Sequence, residues 1–410
     1  MKLKLLIIIL LTIAISIRLA YVLLLPSSQT VAYKLEGLND EASHLNYVHY
    51  LAKNKKFPIQ MHHAREKDAF VKNEFEYYQA PVYYILGAFL EIIFGQEKSL
   101  LTCRILSFIF GILCLIIIKK IFTYLSFPKH IIYGSVIFTA FLPSHAYFCS
   151  VVSNDSLCWL FSLILTYKII KICEESNLLN MSKLYVLSLI CGLILGIGLL
   201  VKTSIFIFIP VFIGIYFYKF VFLKKTEWIY SLVILLGVST ILASPWYLRN
   251  YLVYNSIFAF DVGNGPPQFF LFDSYHQFIR FCIFAVYSFW FPMQHIPPSH
   301  FVGYFLKLET IIILINIILF AVYFLKKARK SLWQIFALFI LIFNLIAYLN
   351  YNFYWDNADG RFLFPSMIAL IIIFCVSLEN FLKEFNKEIL LIPIIVFECV
   401  LPYTLLLLVK

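Results

Sequence analysis

Two carboxylates and an imidazole stand together in Gly37-Leu38-Asn39-Asp40-Glu41-Ala42-Ser43-His44, shortly after the first apolar run of the chain. If a helix begins at Asn39 or Asp40, then Asp40 and His44 are i, i+4 neighbours and Glu41 shares a flank with His44. A carboxylate held beside an apolar wall has its pKa raised and can act as a general base. The plainer reading is that Asn39 or Asp40 caps the helix while Glu41 answers its dipole. Asn154-Asp155 poses the same choice between a cap and a pair of side chains facing a cavity.

Cations supply the second half of the chemistry. Lys202 interrupts the apolar stretch 193–222, Arg249 follows Pro245-Trp246-Tyr247-Leu248, and Arg361 stands in Asp359-Gly360-Arg361-Phe362-Leu363-Phe364-Pro365. Singly, each reads as a solvated or snorkelling helix end. Jointly, three cations at one membrane level suggest a seat for a phosphate, which arginine grips through paired donors. Arg18 and Glu398 lie inside apolar runs and are unassigned candidates. No H-E-x-x-H pattern occurs, and His62-His63, His295 and His300 lack metal-ligand spacing, so a divalent metal is possible but not indicated.

The elements that carry these residues follow from composition. The chain has 410 residues, 62% hydrophobic and only 13% charged, which excludes an ordinary soluble domain. Its net charge of +11 resides largely in short basic clusters closing apolar runs, such as Lys119-Lys120, Lys224-Lys225 and Lys326 to Lys330. That placement is a membrane-orientation signal and gives no support to nucleic acid as a partner. Nine cysteines without a C-x-x-C pattern read as small apolar fillers.

Apolar runs near 3–25, 103–122, 130–150, 155–172, 183–201, 203–223, 228–246, 304–325, 332–351, 362–381 and 389–409 read as spans. The first resembles a signal peptide in charge, but it is too long and lacks a cleavage site, so it is expected to stay attached. Segments 80–95 and 277–295 are expected to lie along the external interface, because crossing there would export the lysine clusters. About eleven spans result, with the N-terminus inside and two long external segments, 26–102 and 247–303. Three parts are expected: a transmembrane module 1–250, an external loop with interfacial helices 251–303, and C-terminal helices 304–410.

The order of motifs resembles the GT-C glycosyltransferases. It runs through Asn39-Asp40-Glu41, His44, Gln79-Ala80-Pro81-Val82-Tyr83-Tyr84, Arg104, Leu142-Pro143, Asn154-Asp155, Lys202-Thr203, Pro245-Trp246 with Arg249-Asn250, and Gly360-Arg361 to Pro365. The branch it is most similar to holds protein O-mannosyltransferases, the lipid A aminoarabinose transferase and the bacterial family 39 enzymes. The resemblance implies an all-α polytopic GT-C fold and an inverting glycosyltransferase that uses a polyprenyl-phosphate-linked sugar donor and needs no obligatory cofactor. Its acceptor would be a lipid, a glycan or a protein. By the resemblance Asp40 is the catalytic base with Glu41 beside it, while His44, Asp155, Lys202, Arg249 and Arg361 bind substrate. Gln79-Ala80 departs from the His-Pro or Glu-Lys that relatives often carry before the proline.

The expected site is on the external face of an inner or plasma membrane, among membrane lipids. A transporter or flippase of lipid-linked saccharides is the rival reading, and a non-catalytic scaffold is another. The rival transporter calls for polar groups at mid-membrane and an exit on both sides, whereas here the charges crowd one end.

Overall fold

The structure, a computed structural model, describes residues 2–25, 41–61, 76–175, 180–260, 262, 274–290, 300–326, 331–354 and 358–396. Among these residues the regular secondary structure is helical throughout. With no water at bilayer depth to satisfy amides, a helix that pairs its own backbone is the available solution. Among the described residues, eight helices are long and apolar enough to cross a membrane: Leu5–Leu24, Gln96–Tyr124, Asp155–Glu174, Met181–Leu199, Thr203–Leu223, Glu227–Tyr254, Leu332–Asn352 and Gly360–Lys383. The chain is therefore an integral, multi-pass membrane protein.

The helices that build the site are α1 (Lys2–Leu24), α2 (Glu41–Asn54), α3 (Val82–Phe94), α4 (Ser99–Tyr124), α5 (Lys129–Phe141), α6 (Pro143–Phe148) and α7 (Asp155–Glu175). They are followed by α8 (Met181–Leu199), α9 (Phe208–Leu223), α10 (Glu227–Tyr254), α11 (Tyr275–Trp290), α12 (His300–Lys326), α13 (Leu332–Tyr354) and α14 (Gly360–Lys383). Three of the eleven expected spans are not among the eight, and of the run 304–325 only the shorter stretch Thr310–Lys326 is an apolar helix among the described residues. The run at 130–150 is a helix broken between α5 and α6, where Leu142 turns to ψ 112° ahead of Pro143. The last run, 389–409, lies mostly outside the described residues, so the expected total of spans goes beyond the eight.

The two segments assigned to the interface are short. Helix α3 has 13 residues and α11 has 16, or about 20 and 24 Å at 1.5 Å per residue. Both fall short of a hydrocarbon core of about 30 Å. Helix α2 packs between α3 and the bundle, and buries Leu45, Tyr47, Val48 and Leu51. His49 Nδ1 meets Glu91 of α3 at 2.5 Å, and Ser99 of α4 donates to the same carboxylate at 2.8 Å. A polar clasp thus fixes how far along α3 the helix bearing His44 sits.

Candidate active site

Glu41 is the first described residue of α2, and its carboxylate is fully engaged. Arg104 of α4 donates from Nε to Oε1 at 2.8 Å and from Nη2 to Oε2 at 2.7 Å, a bidentate fork. The Val152 amide donates to Oε1 at 2.8 Å. Arg104 Nη1 also reaches the Leu25 carbonyl at the end of α1, at 2.9 Å. One buried ion pair therefore ties together the exit of the first span, the start of α2, and the turn that leads into α7. Asp40 lies outside the described residues.

His44 faces inward one turn along α2. Its Nδ1 is 2.8 Å from the Tyr84 hydroxyl. Burial pushes the Tyr84 phenol well above its ordinary pKa, so it remains a hydroxyl. That hydroxyl is within 3.4 Å of Gln79 Oε1, which in turn accepts from Asn154 Nδ2 at 2.5 Å. Gln79 Nε2 donates to the Glu76 carboxylate. The position where this sequence departs from its resemblance is thus a glutamine joining α2, α3 and the start of α7. Its amide can donate on one side and accept on the other, as the arrangement requires.

The turn before α7 settles the Asn154-Asp155 question. The Asp155 amide donates to Ser153 Oγ at 3.2 Å, and the Ser153 hydroxyl donates in turn to Asp155 Oδ2 at 3.1 Å. Asn154 turns to Gln79. Asp155 accepts from Lys202 Nζ at 2.5 Å and lies 3.5 Å from Arg361 Nη1. Lys202 occupies an extended residue (φ −160°, ψ 143°) between α8 and the 3-10 turn Thr203–Ile207. This break directs the ammonium sideways out of two otherwise apolar helices.

Arg361 is held from behind. Its Nε is 2.9 Å from Asp359 Oδ2, its own amide donates to Asp359 Oδ1 at 3.1 Å, and its guanidinium lies over the Phe148 ring at 4.2 Å. Gly360 makes this possible: a Cβ there would come within 2.5 Å of the Phe289 amide and 2.6 Å of the Ala285 carbonyl of α11. The bare backbone instead seats against α11, and the Gly360 amide donates to Ser288 Oγ at 2.8 Å.

Lys202, Arg361, Asp155 and His44 all open on one cavity of about 390 Å³. Its other walls are largely aromatic, among them Phe206, Trp246, Tyr247, Tyr348 and Phe362, with Asn250 and Asn350 contributing amides. A cation pair at one side and flat apolar faces at the others suit an anionic ligand with an apolar or ring-bearing remainder.

Arg249 does not join this lining. It donates to the Pro58 carbonyl and, at 3.0 Å, to Asn250 Oδ1, while its guanidinium lies 4.8 Å from the Trp246 ring centroid. The convergence expected of three cations is thus a convergence of two, with Arg249 turned toward the segment that follows α2. The reason is position on α10: neighbouring Asn250, about 100° round the helix, lines the cavity instead. Sequence reading missed Tyr84, Asn250 and the aromatic wall as site residues; the Tyr83-Tyr84 and Arg249-Asn250 pairs were the available signals.

Among the described residues, no three His, Cys, Asp or Glu side chains gather as metal ligands. Both oxygens of Asp155 face cations, Oδ1 toward Lys202 and Oδ2 toward Arg361.

Residues 79–246 match the family model of the dolichyl-phosphate-mannose-protein mannosyltransferases. Among solved structures, the chain is similar to ArnT from Cupriavidus metallidurans, crystallised with undecaprenyl phosphate. The TM-score is 0.53 at 12% identity over 93% of this chain and 61% of that one. It is similar also to the Archaeoglobus fulgidus oligosaccharyltransferase. Its complex with Zn and sulfate gives TM-score 0.52, 15% identity, 97% of this chain and 52% of that one. Its apo form gives 0.54, 13%, 93% and 51%. The chain thus spans less than two thirds of the length of these proteins. No curated protein matches the sequence. These findings bear out the GT-C resemblance drawn from the motifs, and the fold is the GT-C fold.

Proposed function

From the GT-C fold and the cavity just described, we propose that this chain is an inverting glycosyltransferase that moves a sugar from a polyprenyl-phosphate donor to a hydroxyl-bearing lipid, glycan or protein. The observation that carries this reading is the Lys202–Asp155–Arg361 cluster opening on an aromatic cavity that His44 also lines. The ArnT crystallised with undecaprenyl phosphate supports the donor class.

In this reading Asp40 takes the proton from the acceptor hydroxyl, the acceptor oxygen bonds to the anomeric carbon, and the bond from that carbon to the phosphate oxygen breaks. The electron pair leaves with the polyprenyl phosphate, whose charge goes from one negative to two. Lys202 and Arg361 are placed to stabilise that added charge, in a partly dehydrated cavity where preorganised donors count for more than in water. Asp155 keeps the two cations in place while no phosphate is bound. Glu41, already saturated by Arg104 and the Val152 amide, acts as the post that positions Asp40 rather than as a second base. The proposed chemistry routes no step through a metal.

The site is proposed to face the exterior, because Lys119-Lys120, Lys168, Lys171 and Lys224-Lys225 occupy the opposite ends of the helices that bear it. The test is transfer by the purified protein in liposomes supplied with radiolabelled undecaprenyl-phosphate sugars and membrane-extract acceptors. Asp40→Asn is expected to cut turnover by about a thousandfold, on the scale of a lost general base, while undecaprenyl phosphate still binds. Near-normal turnover by that variant removes Asp40 from the mechanism. Movement of the intact lipid-linked sugar between leaflets, without transfer, would favour the transporter reading.

A further inference from the structure

Arg18 is a cation in the middle of the first span, fully buried, with no carboxylate among its hydrogen-bond partners. Its acceptors are unusual. Nη2 donates to the carbonyls of Thr139 at 2.9 Å and Ala140 at 3.0 Å, and Nε is 3.3 Å from the Ala140 carbonyl. In an unbroken helix those carbonyls would accept from residues 143 and 144. Residue 143 is a proline and has no amide proton, and Leu142, at φ −59° and ψ 112°, takes the chain off the helical path toward Ser144. Arg18 therefore supplies, from a different helix, the donors that the α5–α6 break removes.

The same guanidinium reaches toward the site. Nη2 is 3.1 Å from His145 Nδ1, and since a guanidinium can only donate, that nitrogen accepts. The His145 ring stacks on Trp159 with centroids 5.0 Å apart, and Trp159 meets Phe364 edge-on at 4.9 Å. Trp159 is one turn below Asp155 on α7, and Phe364 is three residues beyond Arg361. Phe148, at the end of α6, is the ring on which the Arg361 guanidinium rests. Gly111 of α4 leaves the room: a Cβ there would lie 2.6 Å from Cys149 Cβ and 3.4 Å from Arg18 Nη1.

We propose that Arg18 is a positioning residue: it plugs the helix break at Leu142–Pro143 and, through His145, Trp159 and Phe148, sets the placement of the Asp155–Arg361 pair. The positioning half rests on the glycosyltransferase reading above; the plugging half does not.

The experiment is a double-mutant cycle of Arg18→Met and Pro143→Ala in the full-length protein, purified in detergent and reconstituted in liposomes. Methionine keeps bulk but offers no donor, and alanine restores the missing amide proton. Arg18→Met is expected to lower the apparent melting temperature by about 5 °C or to prevent folding. Adding Pro143→Ala is expected to restore at least half of the lost thermal stability, or folded protein where the single variant gave none. Additive losses, or failure of the double variant as well, overturn the plug. This arm uses no substrate, so it stands or falls apart from the activity. In the second arm, the restabilised double variant is expected to bind and fold yet turn over at least tenfold more slowly, with undecaprenyl-phosphate sugar half-saturation raised. Wild-type turnover with an unaltered half-saturation in that variant overturns the positioning role.

Discussion

Two buried ion clusters in this molecule use the same ingredients to opposite ends. Glu41 and Arg104 form a closed fork: both side chains are about 95% covered, every carboxylate oxygen is matched, and neither residue lines the cavity. Asp155, Lys202 and Arg361 form an open one, in which Asp155 faces both cations, Asp359 braces Arg361 from behind, and the lysine side chain keeps 15% of its surface exposed, toward the cavity. A matched fork has nothing further to offer a ligand, so its work is to hold four chain segments together. An open cluster holds cationic donors that a phosphate can share or take over.

The contrast predicts how each cluster fails. The largest effect on stability is expected from Arg104→Ala, which strands the Glu41 carboxylate in a buried site; losing one partner of such a pair costs about 3–5 kcal/mol. Thermal unfolding in detergent should show it, and Arg104→Ala with Glu41→Gln should recover part of the loss. Should Arg104→Ala melt like the wild type, the fork is not the clamp described.

Lys202→Ala is expected to act on the ligand instead. Half-saturation by the lipid-linked donor should rise about tenfold to a hundredfold, the 1.4–2.8 kcal/mol expected of one charge-assisted contact, with a small change in melting temperature. A variant with donor saturation unchanged but stability collapsed would erase the distinction between the two clusters.

Arg249→Ala sharpens the comparison from the third side. It breaks the contacts with Pro58 and the Trp246 ring, and is expected to cost about 1 kcal/mol of stability. Donor half-saturation, measured with the same labelled lipid, should move less than it does for Lys202→Ala. The reverse ranking would return Arg249 to the phosphate seat.

Hydropathy and charge alone were enough to define much of this protein. The apolar runs, the lysines closing them and the two interruptions too short to cross place Glu41, Asp155, Lys202 and Arg361 at one end of a helical bundle, because a side chain's depth in a bilayer follows from counting residues along a helix. Depth, however, says nothing of direction around a helix axis. Whether Arg249 or Asn250 faces the cavity, whether Glu41 is free or clamped by Arg104, and why Arg18 sits inside a span at all are decided by which helix packs beside which. The partners are separated by 63 residues for Arg104 and Glu41, and by 122 for Arg18 and Ala140. No local pattern encodes such pairings; they arise because a buried charge or an orphaned carbonyl must find its complement from whatever surface packing presses against it.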